Sequence, residues 1–202
     1  MTEISKLLRD AGDAALPVVT GIADGQLSAP TPCAEFRVGD LVNHLFQVIV
    51  NFQGLARRQP ADFSTTPDIL TTAWRARFAP EIDTLVRAWS DPAALAGVSP
   101  GMGLPQSVVG QMALLDLTLH AWDLARATGR PFAPSDAAVE DLLGMVDMMG
   151  DTARATRVFG PEVPVPAGAA DFERLLGKSG RDPQWNPVAY ATESGDTPRT
   201  AS

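Results

Sequence analysis

Asp116 and His120 stand four residues apart in a stretch that is otherwise apolar, among Leu114, Leu115, Leu117, Leu119 and Trp122. On a helix that spacing puts both side chains on one face, with Cβ atoms about 5–6 Å apart. An unpartnered buried polar group costs about 1–3 kcal/mol, and a bare buried charge costs more. The pair therefore either satisfies itself by hydrogen bonding or faces a polar cavity or a metal ion. The chain has two histidines. The second, His44, falls on a helical wheel between an apolar stripe (Val48, Leu55) and a polar one (Asp40, Gln47, Asn51), at the edge of a core. Two imidazoles and one carboxylate from two helices make a donor set for a first-row divalent ion. Zinc is the first expectation, with iron, nickel or manganese as alternatives. Three protein ligands leave positions open for water or substrate, the pattern of a catalytic site. A plainer reading has Asp116 bonded to His120 within a structural helix and His44 at the surface.

Proline marks out the helices that must position these groups. There are 17 prolines, and a proline in a helix interior removes a donor and clashes with the preceding turn. The proline-poor windows carry 3.6-residue apolar spacing. They predict helices over about Thr2–Ala23 (with Pro17 as a kink), Val38–Arg58, Pro67–Trp89 (bent at Pro80), Pro105–Thr128 and Ser135–Arg157. A short helix is expected near Ala170–Leu176. The window holding Asp116 and His120 is apolar almost all round, which places it in the middle of a domain. No strand-like alternation or internal repeat is evident. The expected architecture is all-α, four or five antiparallel helices around one core, as one domain over 1–187 with a flexible tail over 188–202.

Composition narrows the function classes. The chain has 202 residues, Lys+Arg 16 against Asp+Glu 24, and a net charge of −8. That excess of acid argues against nucleic acid and anionic lipid as partners. One cysteine, Cys33, excludes an intrachain disulfide and a Cys-rich zinc module. The N-terminal segment lacks the apolar run of a signal peptide, and no stretch is long and apolar enough for a membrane span. The expectation is a cytoplasmic monomer or homodimer acting on a small molecule. No glycine pattern points to a nucleotide site.

Other residues near the donors carry weaker expectations. Gln47 is the candidate to touch a bound water or ligand, against the alternative that Asn43, Gln47 and Asn51 form a solvated face. Asp123 could orient the His120 ring as an acceptor, though an ion pair with Arg126, Arg130 or an arginine from another helix is the stronger expectation. Trp122 is expected in the core, and Met145, Met148 and Met149 form either core at helical spacing or an interface patch. Cys33 precedes a helix, where a thiol can be activated, but a nucleophilic role is not expected of it.

Several segments resemble one family. Thr31-Pro32-Cys33-Ala34-Glu35-Phe36, with Asp40-Leu41-Val42-Asn43-His44-Leu45 after it, resembles the second-helix entry of DinB-like metal-binding proteins. The nearer branch is that of the N-terminal domain of mycothiol-dependent maleylpyruvate isomerase. Leu119-His120-Ala121-Trp122-Asp123-Leu124-Ala125-Arg126-Ala127-Thr128-Gly129 looks like that branch's most specific element. Phe159-Gly160-Pro161-Glu162-Val163 and Gly180-Arg181-Asp182-Pro183 resemble its C-terminal strap. The resemblance implies a four-helix up-down bundle with one or two extra C-terminal helices. It also implies a divalent metal on His44, Asp116 and His120 and a low-molecular-weight thiol as co-substrate. Transfer or isomerisation is the reaction class it suggests; metal-dependent hydrolysis and a non-catalytic metal- or ligand-binding bundle are the rivals. The family usually has Glu where this chain has Asp116. The isomerases also carry a further domain with a substrate-binding arginine, so maleylpyruvate isomerase activity itself is not expected.

Overall fold

Thr2 starts the first helix by accepting the Ser5 amide at 3.2 Å, and α1 runs over Glu3–Gly21 with Pro17 inside it. The second begins where Asp40 accepts the Arg37 amide at 3.1 Å; a carboxylate in the first turn also suits the positive end of the helix dipole. This α2 covers Val38–Ala56. The third, α3, covers Phe78–Trp89. The fourth, α4, covers Gln106–Thr128 and ends on Gly129 at φ 68°, a left-handed cap that glycine adopts without a Cβ penalty. Ser135 caps the fifth, α5 (Asp136–Ala155), and α6 covers Asp171–Lys178. This computed structural model describes residues 1–187; the tail expected over 188–202 lies outside them. Among the described residues there is no strand, only the isolated bridges Pro30–Arg37 and Val98–Pro105. None of the described helices is long and apolar enough to cross a membrane.

The third helix differs from expectation. It starts at Phe78 rather than near Pro67, and Pro80 lies in its first turn rather than at a bend. There the missing proline N–H removes no intrahelical bond, because the first amides of a helix have no internal partner. A 3-10 turn over Trp74–Arg77 leads into α3, and the residues before that turn form a loop that α2 ties down. Gln47 Nε2 donates to the carbonyls of Asp62 (3.1 Å) and Thr65 (2.9 Å), and Asn51 Nδ2 donates to Asp62 (2.6 Å).

Helices α1 to α4 share one apolar core. Each of α1 and α2 packs against both α3 and α4, so α1 and α2 lie across one diagonal. Trp89 is fully buried where α3 meets α2, and its indole donates to the Phe52 carbonyl at 3.1 Å. Helix α5 packs against both α4 and α6. The result is an all-α bundle of four helices with two more at its C-terminal side. It holds His44 on α2 and His120 on α4 across a packed interface.

Candidate metal centre

Both histidines and Asp116 line one cavity of about 970 Å³. Helix α2 contributes His44, Val48 and Phe52, and α4 contributes Met112, Asp116, Leu119 and His120. The turn before α2 adds Cys33, Glu35 and Phe36; the end of α5 and the residues after it add Arg154, Arg157 and Phe159, and the turn after α6 adds Arg181. Thr31 shapes the turn: its buried hydroxyl reaches the carbonyls of Cys33 and Phe36, each at 2.9 Å. Phe36 is thereby held flat against His44, ring centroids 5.0 Å apart at 17°. A separate pocket of about 370 Å³, lined by Arg57, Arg58 and Arg87, holds none of the three donors.

The rings of His44 and His120 meet edge to face, with centroids 5.1 Å apart at 83°. Burial, helped by the neighbouring His120, pushes the His44 imidazole down from its ordinary 6.5 to about 4. His44 is therefore neutral near pH 7, the form that ligates a metal. His120 is buried, and its Nδ1 lies 3.0 Å from Asp123 Oδ2. Burial works to raise the Asp123 carboxyl, but the Arg181 charge and the His120 hydrogen bond together hold it below the usual carboxylate range. An ionised carboxylate only accepts hydrogen bonds, so the ring proton is assigned to Nδ1. In the neutral ring Nε2 then keeps its lone pair, and among the described residues it has no hydrogen-bond partner. Asp116 is partly exposed; burial raises its carboxyl, with His120 and Arg181 acting against that.

The donor chemistry fits a divalent ion: two imidazoles, one with its second nitrogen anchored to a carboxylate, and an acid group in the same cavity. Among the described residues, no three His, Cys, Asp or Glu side chains come together in an arrangement that could hold a metal ion as it stands. Asp116, one methylene shorter than glutamate, lies on this wall without a hydrogen bond to His120 among the described residues. The acid partner of His120 is Asp123 instead.

Other expected residues are placed as follows. Gln47 does not line the cavity; its amide nitrogen holds the loop after α2, and its oxygen accepts the Thr66 hydroxyl at 3.1 Å. Asp123 does both things weighed for it, accepting from His120 and pairing with an arginine. That arginine is Arg181, beyond α6, at 3.1 Å. Arg126 donates to the Trp185 carbonyl and Arg130 to that of Gly21. Cys33 lines the cavity, where burial and then the Asp123 and Glu35 charges push its thiol up to about 11 against the pull of Arg181. A thiol with that value is protonated at neutral pH and is a poor nucleophile. Arg181 had no role assigned from sequence, though it falls in one of the segments that carried the family resemblance.

Comparison with known proteins agrees with this architecture. Two uncharacterized proteins, from two strains of Mycobacterium tuberculosis, are each 31% identical to the chain over 179 residues, covering 85% of it and 93% of the relative. No solved structure matches the chain significantly. The family model for the mycothiol maleylpyruvate isomerase N-terminal domain matches residues 8–125, the span that carries α2, α3 and both histidines. The chain belongs to that family.

Proposed function

We propose that this protein binds a divalent metal ion through His44, Asp116 and His120 and uses it in a thiol-dependent transfer or isomerisation of a small molecule. The observation that carries the reading is the edge-to-face meeting of His44 and His120 over a cavity that Asp116 also lines. Family membership supports the thiol. A metal ion bound there would supply Lewis acidity and keep a coordinated thiol in its thiolate form. The protein's own groups do the rest. Burial keeps His44 unprotonated, Asp123 holds the His120 ring in one orientation, and the Asp116 carboxyl lines the same cavity. Phe36 and Leu119 cover the site, and a cavity of about 970 Å³ leaves room for a small molecule beside the donors.

Metal analysis of the purified protein beside His44→Ala and His120→Ala variants tests the metal. Near-stoichiometric metal in the parent and its loss in both variants is the expected result; equal content in all three removes the site. Cobalt-loaded protein titrated with a small thiol tests the chemistry. A sulfur-to-cobalt charge-transfer band supports a thiol-accepting open position. Cobalt that binds without that band leaves a non-catalytic metal-binding bundle.

A further inference from the structure

We propose that Arg181 is a positioning residue of the site: it clamps Asp123 so that Nδ1 of His120 carries the ring proton and Nε2 is left as the donor. Its importance for metal binding rests on the reading of His120 as a ligand; the clamp itself is a matter of geometry.

Asp123 is fully buried. Its Oδ1 accepts from Arg181 Nε at 3.3 Å, and its Oδ2 accepts from Arg181 Nη2 at 3.1 Å and from His120 Nδ1 at 3.0 Å. The third guanidinium nitrogen, Nη1, donates to the Ser179 carbonyl at 3.1 Å. All three nitrogens are committed, and the side chain is only 11% exposed. A two-pronged fork of this kind fixes the plane of a carboxylate as well as its charge. With the plane fixed, Oδ2 is aimed at Nδ1. Without the fork the carboxylate can turn, Nδ1 loses a steady acceptor, and both neutral forms of the ring become populated.

The backbone that delivers Arg181 is built for one position. The Arg181 amide donates to Leu176 at 2.8 Å and that of Gly180 to Gly177 at 3.0 Å. Gly180 has φ 84°, and a Cβ there would lie 3.0 Å from the Gly160 backbone nitrogen and Cα. Only glycine tolerates both the left-handed backbone and that approach. The strap around Gly160 and the turn after α6 therefore cross at one point and place the next residue against α4. Arg181 lies well beyond residues 8–125, which the family model matches. The C-terminal segment is thus part of the site and not only a cover for α4.

A merely structural ion pair would also destabilise the fold when broken, so the test reads the ring directly. The full chain is labelled with ¹⁵N-histidine; it has two histidines, and a His44→Gln variant assigns the signals. In metal-free protein His120 is expected as the Nδ1–H form. Arg181→Gln should give a mixture of both forms and lower Co²⁺ affinity by about 10–100-fold, the usual cost of losing an outer partner of a ligand. Arg181→Lys keeps the charge without the fork. It should fold and show an intermediate mixture, and it decides the matter if Arg181→Gln does not fold. A single Nδ1–H form with parental Co²⁺ affinity in folded Arg181→Lys overturns the inference, as does an Nε2–H ring in the parent. If the parent binds no Co²⁺, the metal reading falls, and the ring signals alone judge the clamp.

Discussion

His120 and Asp123 lie one turn apart on α4, and the imidazole Nδ1 sits 3.0 Å from a carboxylate oxygen that has no contact with solvent. Such a pair is costly to bury unless each member is matched. Asp123 is matched twice, by His120 and by Arg181.

Replacing Asp123 by alanine leaves the Arg181 guanidinium buried without its partner. Breaking a buried pair on one side costs about 3–5 kcal/mol. Urea denaturation of Asp123→Ala should show a loss of that size. A change below about 1 kcal/mol, the range of surface ion pairs, would mean that the pair is solvated.

The metal-free protein should lose stability in mild acid through His44. The unfolded ring titrates near 6.5 and the folded one near about 4. Between these values the unfolded chain binds more protons, so stability rises with pH across the window. The contribution is complete above 6.5 and disappears as the pH falls toward about 4. Urea midpoints measured across this window should fall in the parent more steeply than in His44→Gln. Equal slopes would count against a desolvated His44.

Cys33 should react slowly with iodoacetamide at neutral pH, its rate climbing only as the pH approaches about 11. A rate that levels off near the pH of an ordinary free thiol, about 8.5, would show that the turn before α2 leaves it solvated.

Gln47→Ala should weaken the fold without touching the metal. Its amide makes three hydrogen bonds that hold the loop after α2, and losing an intramolecular hydrogen bond of this kind costs about 0.5–1.5 kcal/mol. Denaturation reads the loss, and Co²⁺ titration should match the parent. A large fall in Co²⁺ affinity would return Gln47 to the ligand.

The helices that carry the site were legible because their apolar spacing is long and uninterrupted. The polar exceptions within those windows, His44, Asp116 and His120, stand out against that background. The loop before α3 was not legible: Leu70, Trp74 and Phe78 continue a helical period, and only long-range bonds from Gln47 and Asn51 show the chain to be held otherwise. The same bonds explain why Gln47 read as a ligand contact. A polar residue beside His44 looks alike whether it faces a cavity or a loop. The Asp123–Arg181 pair spans 58 residues, and no local pattern could select Arg181 over Arg126 or Arg130. The left-handed Gly180 that delivers it was visible only as part of a family motif.

The most direct test of the metal site is anomalous diffraction from crystals of zinc-loaded protein, measured at the zinc edge. The account predicts one peak in the cavity, with ring nitrogens of His44 and His120 and an Asp116 oxygen each about 2.0–2.2 Å away. A peak bound by other residues, or no peak between the two rings, would contradict it.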